Sequence, residues 1–249
     1  MCASLTKTVE CVTINLCKIC VLSEANMEDK LKISRLFDLS KTISAPLFVG
    51  KIFPWEILPE ISDFILSLGE YLPKDKFSSL GGGVWIAKSA TVAPSAQING
   101  PCIIDEDAEI RHCAFIRGSA IVGKGAVIGN SCELKNCIIF DGAQIPHFNY
   151  VGDSVIGYRS HLGAGAITSN VKSDKTLVEI KVNGKKIATV RKKVGAFLGD
   201  EVEVGCNSVL NPGTVVGKDS RIYPLSNVRG YVPKNSIYKA NGEIVIKES

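Results

Sequence analysis

A period of six residues constrains the fold of this chain more than any other feature of its sequence. From Ile86 to Leu134, every sixth residue is Ile, Val or Leu. The period then slips twice by one residue, continues to Leu162, and returns between Leu198 and Val228. A unit of six residues is too short for two helices, and it is shorter than the spacing of about 8–12 residues in β-sandwiches. The period therefore predicts a parallel β-helix, in which each unit supplies a short strand and a corner.

The number of units predicts the size of this β-helix. A small residue (Ala, Cys, Ser or Thr) stands four positions after most of the apolar anchors, where the chain would turn. Three units form one coil of roughly 18 residues, so the anchors predict about seven coils and a prism about 33 Å long at ~4.8 Å per strand. We expect an all-β solenoid over residues 81–233, followed by a C-terminal tail over residues 234–249.

The segment before the repeats carries helical signals. Residues 59–71 place four apolar side chains on one helical face, namely Ile61, Phe64, Ile65 and Leu68. We therefore expect an N-terminal helical segment over residues 27–80. Its helix would cover the first coil or pack on a partner, because the ends of solenoids need covers. The three glycines at 81–83 would then form a hinge into the coils.

An insertion interrupts the repeats between Leu162 and Leu198. Residues 178–190 alternate apolar and polar side chains around Asn183-Gly184, which is typical of a hairpin with a two-residue turn. The surrounding residues 171–193 contain eight Lys/Arg and two Asp/Glu. We expect an inserted β-hairpin that is either a solvated arm or a docking surface for an anionic cofactor.

Composition limits the cellular setting and the partners. Cys17 and Cys20 form a lone C-x-x-C, and no second Cys or His pair stands at a fitting distance, so reduced thiols are favoured over a zinc site. The net charge of +4 is too small to indicate a nucleic-acid partner. No apolar run approaches the ~18–20 residues that span a bilayer. We expect a cytoplasmic protein with no metal and no membrane partner, whose residues 1–26 are a poorly defined extension or precede a start at Met27.

The coil length converts sequence spacing into neighbours in space. Arg117 and Lys135 are one coil apart and each follows an apolar anchor, so they should lie one above the other at one corner. Like charges about 5 Å apart repel, so the two are either solvent-screened surface cations or a clamp for a phosphate. In the next coil the same corner holds Gly152, shortly after Tyr150, and His147 lies on the flat leading into it. This convergence predicts a site for an amino-sugar phosphate.

The same stretches resemble a known family. "CELKN", "GAQIPHFNYVGDSVIG" and "HLGAGAITSN" are similar to the acetyltransferase domain of the bifunctional glucosamine-1-phosphate acetyltransferases/N-acetylglucosamine-1-phosphate uridyltransferases, which are hexapeptide-repeat acyltransferases. The resemblance runs from Arg117 to Asn170 and resumes over residues 195–217. The arm "NGKKIATVRKKVGAFLG" is more similar to archaeal-type relatives. The resemblance implies left-handed coils, a homotrimer and acetyl-CoA as co-substrate.

The resemblance also implies roles for single residues. His147 matches the general base of the family. The implied ligands are Arg117, Lys135, Tyr150 and His161 for the sugar phosphate, and Ala164, Asn170 and Cys206 for acetyl-CoA. Three positions depart from the family pattern: His161 replaces an Asn, Cys206 replaces a Ser, and Asn241, with Lys239 nearby, stands where the family has a CoA-binding Arg.

The implied chemistry explains the histidine in "IPHFNYVGD". The amine of an amino sugar is largely protonated near neutral pH and must lose a proton before it attacks a thioester. A histidine side chain, with an unperturbed pKa near ~6.5, suits that task. Pro146 would stiffen the approach and Phe148 would shield the ring from water. The backbone N–H near Ala164 would stabilise the charge that develops on the carbonyl oxygen.

The resemblance implies an N-acetyltransferase for glucosamine-1-phosphate or galactosamine-1-phosphate, which would feed the synthesis of UDP-N-acetyl sugars and cell-envelope precursors. Nucleotidyl transfer is not expected, because about 80 N-terminal residues are too few for that fold. Two alternatives stay open. One is a non-catalytic sugar-nucleotide-binding or assembly subunit. The other is a zinc lyase like the γ-type carbonic anhydrases, although the histidine spacings of 35 and 14 residues lack the close pair of that family.

Overall fold

Strands dominate the computed structural model, which describes residues 28–182 and 184–248. The extension with Cys17 and Cys20 lies outside these residues. The chain begins with the α-helices α1 (Ile33–Leu36) and α2 (Ile61–Glu70) and the 3-10 helices Leu39–Lys41, Ala45–Phe48 and Pro54–Ile57. The strands follow in this order: β1 (Phe77–Gly81), β2 (Val84–Ala87), β3 (Thr91–Val92), β4 (Gln97–Ile98), β5 (Cys102–Ile104), β6 (Glu109–Ile110), β7 (Phe115–Ile116), β8 (Ala120–Val122), β9 (Val127–Asn130), β10 (Glu133–Ile139), β11 (Gln144–His147), β12 (Tyr150–Ile156), β13 (His161–Leu162), β14 (Ile167–Thr168), β15 (Glu179–Val182), β16 (Lys185–Ala188), β17 (Ala196–Leu198), β18 (Glu203–Val204), β19 (Val209–Leu210), β20 (Thr214–Val216), β21 (Arg221–Ile222), β22 (Asn227–Val228), β23 (Tyr231–Val232), β24 (Ser236–Tyr238) and β25 (Ile244–Ile246).

These strands wind into a parallel β-solenoid with three faces, which confirms the predicted fold class. The first face stacks β2, β5, β8, β10, β12, β17, β20 and β23. The second face stacks β4, β7, β10, β12, β14, β19 and β22. The third face stacks β3, β6, β9, β11, β13, β18, β21 and β24. Strands β10 and β12 are long enough to run through the corner between the second and first faces.

The solenoid has about nine layers rather than the seven that the anchors predict. The strand β1 adds an antiparallel layer to the first face, and β25 adds one to the third. Two further features hide coils from the six-residue period. Thr168 is a fully buried polar residue at an anchor position, and the step from Val228 to Val232 is four residues. The period counts apolar residues at constant spacing, so it misses both.

The interior of the solenoid is formed by the anchors and the small residues, as the repeat predicts. Every anchor from Ile104 to Val228 is at most 3% exposed. The anchors of the first coil, Ile86, Val92 and Ile98, are only partly buried, because no earlier coil stacks on their other side. Apolar contact among stacked aliphatic side chains, at about 25 cal/mol per Å² of buried area, therefore adds to the backbone hydrogen bonds that join successive coils.

A second apolar ladder runs along the outside of the first face. Because side chains alternate along a strand, the middle residue of each three-residue strand points outward. The paired register stacks these residues as Ile103, Ile121, Ile138, Val155, Phe197 and Val215. All six are fully buried, since the N-terminal segment and the inserted hairpin pack over them. The first face is thus covered on its outer side.

Helix α2 belongs to this cover and does not cap the first coil. Its buried residues Ile61 and Ile65 belong to the same cluster as the outer ladder, and the helix lies beside β5, β8 and β10. Gly69 is required at the contact with β2, because a Cβ there would lie 2.4 Å from the Trp85 ring. The predicted helix and its apolar face are confirmed, whereas its expected position over the end of the solenoid is wrong.

The glycines at 81–83 form a turn and not a hinge. Gly82 and Gly83 connect the antiparallel strands β1 and β2, with φ angles of +58° and +75°. Positive φ at both central residues is the geometry of a tight hairpin turn, which glycine adopts without steric cost. The chain therefore enters the solenoid as a hairpin, whose second strand is the first strand of the first face.

The inserted hairpin is confirmed, but it is not a solvated arm. Strands β15 and β16 pair antiparallel across a two-residue connection, with Ile180 opposite Ile187. Val178, Ile180 and Val182 are buried against the outer ladder of the first face. The alternation that predicts the hairpin thus also marks the side that packs on the solenoid.

Three further expectations concern the cysteines, membrane-spanning segments and the domain boundaries. Within the described ranges the thiols of Cys102, Cys132 and Cys137 are buried and those of Cys113 and Cys206 exposed, and none of the five forms a disulfide. Over the same ranges, each helix is too short or too polar to traverse a bilayer. The proposed domain boundaries at residues 27, 81 and 234 stay predictions.

Candidate functional site

The candidate residues lie on and around the second face, which we call the site face. Its outward side chains form one column in register, with Phe115 beside Glu133, Glu133 beside Tyr150, and Tyr150 beside Ile167. Side chains alternate between the inside and the outside along each strand of this face. Tyr150 is one of the outward side chains, and it lies between the two corners that bound the face. Each corner carries its own stack of residues.

The corner where the chain leaves the site face carries the two cations, which we call the cation column. Ile116 pairs with Leu134, so the following residues Arg117 and Lys135 occupy adjacent coils, and Lys135 pairs with Gly152. The predicted stack is therefore present. Because short corners repeat with the coil, residues about 18 positions apart meet at this place.

Each cation of this column already has a carboxylate partner within the chain. The Arg117 guanidinium lies 2.7 Å from a carboxylate oxygen of Glu133, and the Lys135 ammonium lies 3.8 Å from one of Asp153. The repulsion that sequence spacing predicts between the cations is thus balanced by acidic side chains. A bound phosphate would compete with these carboxylates for the same donors.

His147 lies at the opposite corner, where the chain enters the site face, and not on the flat leading to the cations. We call its stack the histidine column. His147 pairs with Asn130, its carbonyl accepts from the Gly165 N–H at 3.0 Å, and the Ala164 carbonyl accepts from Asn207 at 2.8 Å. Five residue steps separate His147 from Gly152, a span of at most about 17 Å at ~3.3 Å per residue. The two columns therefore flank Tyr150 and do not share one edge.

A buried asparagine fixes the backbone at the histidine corner. The Asn149 side chain accepts a hydrogen bond from the His147 N–H at 3.0 Å. Its amide group donates to the carbonyls of Gly163 at 2.8 Å and Ala166 at 3.1 Å. Asn149 is 2% exposed and ties the His147 turn to the next coil. The six-residue period does not predict this role of Asn149, because the role depends on a neighbour one coil away.

The His147 ring is open to solvent in the single chain. Phe148, expected to shield it, is 62% exposed, and the two ring centroids are 6.4 Å apart. His161 lies nearby on the third face, paired with Gln144 in β11. Burial, and after it the charge of His147, lower the pKa of His161. Because its pKa is lowered, His161 is neutral near neutral pH. It lies beside His147, which is exposed to solvent.

A buried carboxylate connects the two sides of Tyr150, and we call its set of contacts the Asp153 cluster. Asp153 is 4% exposed and accepts from the Asn136 amide at 2.8 Å and from the Asn170 amide at 2.5 Å. The Asn170 amide also donates to the Tyr150 hydroxyl at 3.2 Å. Burial first, and then the Asp153 charge, raise the pKa of Tyr150.

The Asp153 cluster adds contacts within the chain to Asn170, whose implied acetyl-CoA contact stays a prediction. Sequence resemblance implies an acetyl-CoA contact, whereas the structure places its amide against Tyr150 and Asp153. The cluster has a signal in the sequence, since Asn136, Asp153 and Asn170 are each separated by 17 residues. In a solenoid whose coil shortens by one residue here, this spacing stacks three polar groups in adjacent coils. The spacing of 17 residues predicts the cluster only when the length of the coil at this place is known.

The other residues implied for acetyl-CoA continue the histidine column. Gly163 packs against the Cys206 backbone, so Ala164 and Cys206 occupy equivalent corners of adjacent coils. Cys206 is exposed. Neither the Ala164 nor the Cys206 N–H has a hydrogen-bond partner within the described part of the chain. Toward the C-terminus, Lys239 and Asn241 both turn to Glu243. Small side chains and free backbone donors thus line this column.

The described residues contain no group of three His, Cys, Asp or Glu side chains that could hold a metal ion. His147 and His161 are close enough to interact electrostatically, yet no third ligand completes a site with them. A catalytic zinc needs three protein ligands. Within the described residues of one chain, the two histidines by themselves do not make up such a set.

Comparisons with known proteins agree with the resemblance. A family model described as the GMPPB C-terminal domain matches residues 98–219. The "Bifunctional sugar-1-phosphate nucleotidylyltransferase/acetyltransferase" of Sulfurisphaera tokodaii is 37% identical over 166 residues, which cover 59% of this chain and 41% of that protein. The "Bifunctional protein GlmU" of Methanococcus vannielii is 34% identical over 235 residues, covering 90% of this chain and 55% of that protein. A solved structure of a mutant of AntD, an N-acyltransferase from Bacillus cereus in complex with dTDP-4-amino-4,6-dideoxyglucose and Coenzyme A, has a TM-score of 0.39 and 19% identity, covering 73% of this chain and 89% of that one.

The chain spans about half the length of the curated relatives it matches. Because these relatives are named as bifunctional, the comparisons give no support to the expectation that nucleotidyl transfer is absent. The resemblance itself is confirmed over most of the chain, from the repeats to the insertion. Over most of its own length the chain is therefore similar to proteins named as bifunctional sugar-1-phosphate nucleotidylyltransferase/acetyltransferase and GlmU.

Proposed function

We propose that the chain transfers the acetyl group of acetyl-CoA to the amine of an amino-sugar 1-phosphate, glucosamine-1-phosphate or galactosamine-1-phosphate. The observation that carries the proposal is the arrangement of the site face, where Tyr150 lies between the cation column and the histidine column. One column offers donors for a phosphate and the other offers a base beside free backbone donors. The names of the relatives, which join sugar-1-phosphate and acetyltransferase, support the same reading.

The sugar phosphate would bind with its phosphate toward Arg117 and Lys135. Charge-assisted hydrogen bonds from a guanidinium and an ammonium group suit a phosphate. To reach them, the phosphate replaces Glu133 as the partner of Arg117, while Lys135 stays near Asp153. The Tyr150 hydroxyl, in the middle of the face, would contact the sugar. The amine then faces the histidine column.

His147 would act as the general base for the transfer. The ammonium group first loses one proton to solvent. The neutral amine nitrogen then attacks the thioester carbonyl carbon while the imidazole takes a second amine proton, so that a C–N bond forms and the C–S bond breaks. The imidazolium returns the proton to the leaving sulfur, which gives CoA and the N-acetylated sugar phosphate. The free N–H of Ala164 is the candidate donor for the oxygen on which negative charge develops.

Acetyl-CoA turnover with a panel of amino-sugar phosphates tests the proposal, measured as release of the CoA thiol. We expect turnover with at least one amino-sugar 1-phosphate and none with the matching sugar lacking an amine. His147→Ala should lower kcat by about 10²–10⁴, the contribution typical of a positioned base. His112→Ala is the matched control, because His112 is an exposed histidine near the same corner one coil before Asn130.

Two results would contradict the proposal. An active chain whose His147→Ala variant keeps most of its kcat removes this histidine from the reaction, and His161 is then the next residue to substitute. Binding of a sugar nucleotide without any acetyl transfer favours the non-catalytic alternative. In that case the cations of the site face serve recognition alone.

A further inference from the structure

The Asp153 cluster determines the direction of its own hydrogen bonds, including the one between Asn170 and Tyr150. A carboxylate only accepts hydrogen bonds, so both amides that contact Asp153 must present their NH₂ groups to it. The two amides are those of Asn136 and Asn170, at 2.8 Å and 2.5 Å. This fixes the orientation of each amide, because the opposite orientation would set an amide oxygen against a carboxylate oxygen.

The fixed orientation of Asn170 in turn determines what Tyr150 can do. The NH₂ group that faces Asp153 also faces the Tyr150 hydroxyl at 3.2 Å. The hydroxyl oxygen therefore accepts from Asn170, and the hydroxyl proton is not used in this contact. A phenol that accepts from one side is left to donate toward the other. The half-buried Tyr150 side chain lies on the site face, so that donation is directed toward a ligand bound there.

We propose that Asp153 is a positioning residue, which holds the Asn170 amide so that Tyr150 accepts from it and donates its own proton to the sugar phosphate on the site face. The identity of that ligand rests on the proposed function, whereas the orientation rests on the contacts alone. Asp153 is suited to the role because it is buried, held in a left-handed backbone conformation at φ +49°, and anchored through its carbonyl to the Gly195 N–H at 2.8 Å.

The first test measures the direction of the Tyr150–Asn170 hydrogen bond. Ultraviolet titration of the chain, with the Tyr150→Phe variant subtracted, isolates the Tyr150 phenol. A donor to the phenol oxygen stabilises the phenolate, so Asn170→Ala should raise the pKa of Tyr150 above its value in the unsubstituted chain. A fall in this pKa would show that Tyr150 donates to Asn170 and would overturn the proposal. No change would overturn it as well.

Matched variants separate positioning from folding. Asn211→Ala removes another asparagine, which donates to the Val228 carbonyl at 2.8 Å, and should leave the Tyr150 titration unchanged. If Asn170→Ala fails to fold, Asn170→Ser keeps a small polar side chain there and serves for the same measurement, since its hydroxyl is too short to span the original 3.2 Å contact. Thermal midpoints are recorded for every variant.

The second test measures binding of glucosamine-1-phosphate and galactosamine-1-phosphate by calorimetry. Tyr150→Phe should weaken binding by about tenfold in the unsubstituted chain and by less than about twofold in the Asp153→Asn chain, where the orientation of Asn170 is released. Equal losses in both backgrounds would overturn the role of Asp153. If the unsubstituted chain binds neither compound, the proposed function fails, and the titration still decides the orientation of Asn170.

Discussion

At the scale of single residues, the coil length predicts neighbours but not partners. It places Arg117 above Lys135, as the pairing of Ile116 with Leu134 shows. It does not predict that Glu133 turns to Arg117, because that contact depends on the direction of two long side chains across a corner. The chain thus balances a cation pair with its own carboxylates, and under the proposed function the phosphate would displace one of them.

The first prediction follows from this competition. If Arg117 binds the sugar phosphate, Glu133→Gln should lower KM by about two- to fivefold, because the guanidinium no longer has a charged partner in the chain. Arg117→Ala should raise KM by about tenfold or more with little change in kcat, as expected for loss of uniform binding. Steady-state kinetics with glucosamine-1-phosphate measure both.

A matched ion pair on another face controls for general electrostatics. Glu109 and Arg111 lie 3.0 Å apart beside the third face. Glu109→Gln and Arg111→Ala should leave KM unchanged. If Glu133→Gln and Glu109→Gln behave alike, the effect is one of net charge and the cation column is ordinary surface.

At the scale of elements, local signals predict which elements form but not what they cover. The apolar spacing predicts helix α2, and Asn183-Gly184 predicts the hairpin of β15 and β16. Both elements are present. Their positions depend on the outer ladder of the first face, whose members are spaced by one coil. In the run "CII", Ile103 belongs to the outer ladder and its neighbour Ile104 is an inner anchor. A period of six residues therefore does not separate the two sets. The period therefore does not predict that the first face is covered.

Packing of the hairpin gives the second prediction. Ile180 is fully buried against the first face, so Ile180→Ala should destabilise the chain by about 2–5 kcal/mol. Its cross-strand neighbour Ile187 is only partly buried, so Ile187→Ala should cost clearly less. Chemical denaturation measures both. Small and equal losses would show that the hairpin is the solvated arm that its charge suggests.

At the scale of the whole molecule, the sequence predicts the architecture well and the shape of its surface poorly. The repeat predicts a solenoid and its interior, since stacked anchors depend only on the period. The three faces differ in what lies outside them: the N-terminal segment and the hairpin cover the first, whereas apolar side chains remain exposed along the site face and the histidine column. Examples are Phe148 at 62%, Ile167 at 38% and Leu225 at 74% exposure. Exposed apolar side chains that recur along one side of a molecule favour an interaction surface there.

The last prediction is that these surfaces meet in a homotrimer, which the family resemblance implies. Light scattering at micromolar concentration should give about three times the 26.7 kDa of one chain. Leu225→Asp should dissociate the assembly, because a charge would be buried at the contact. Leu225 has a φ of +60°, a conformation that Asp adopts more readily than Leu, so the substitution suits the local backbone. An unchanged thermal midpoint would separate loss of assembly from loss of folding. Val49→Asp, at a 78% exposed position in the N-terminal cover, should leave the mass unchanged. A monomeric mass for the unsubstituted chain would contradict the trimer and leave the site face open to solvent.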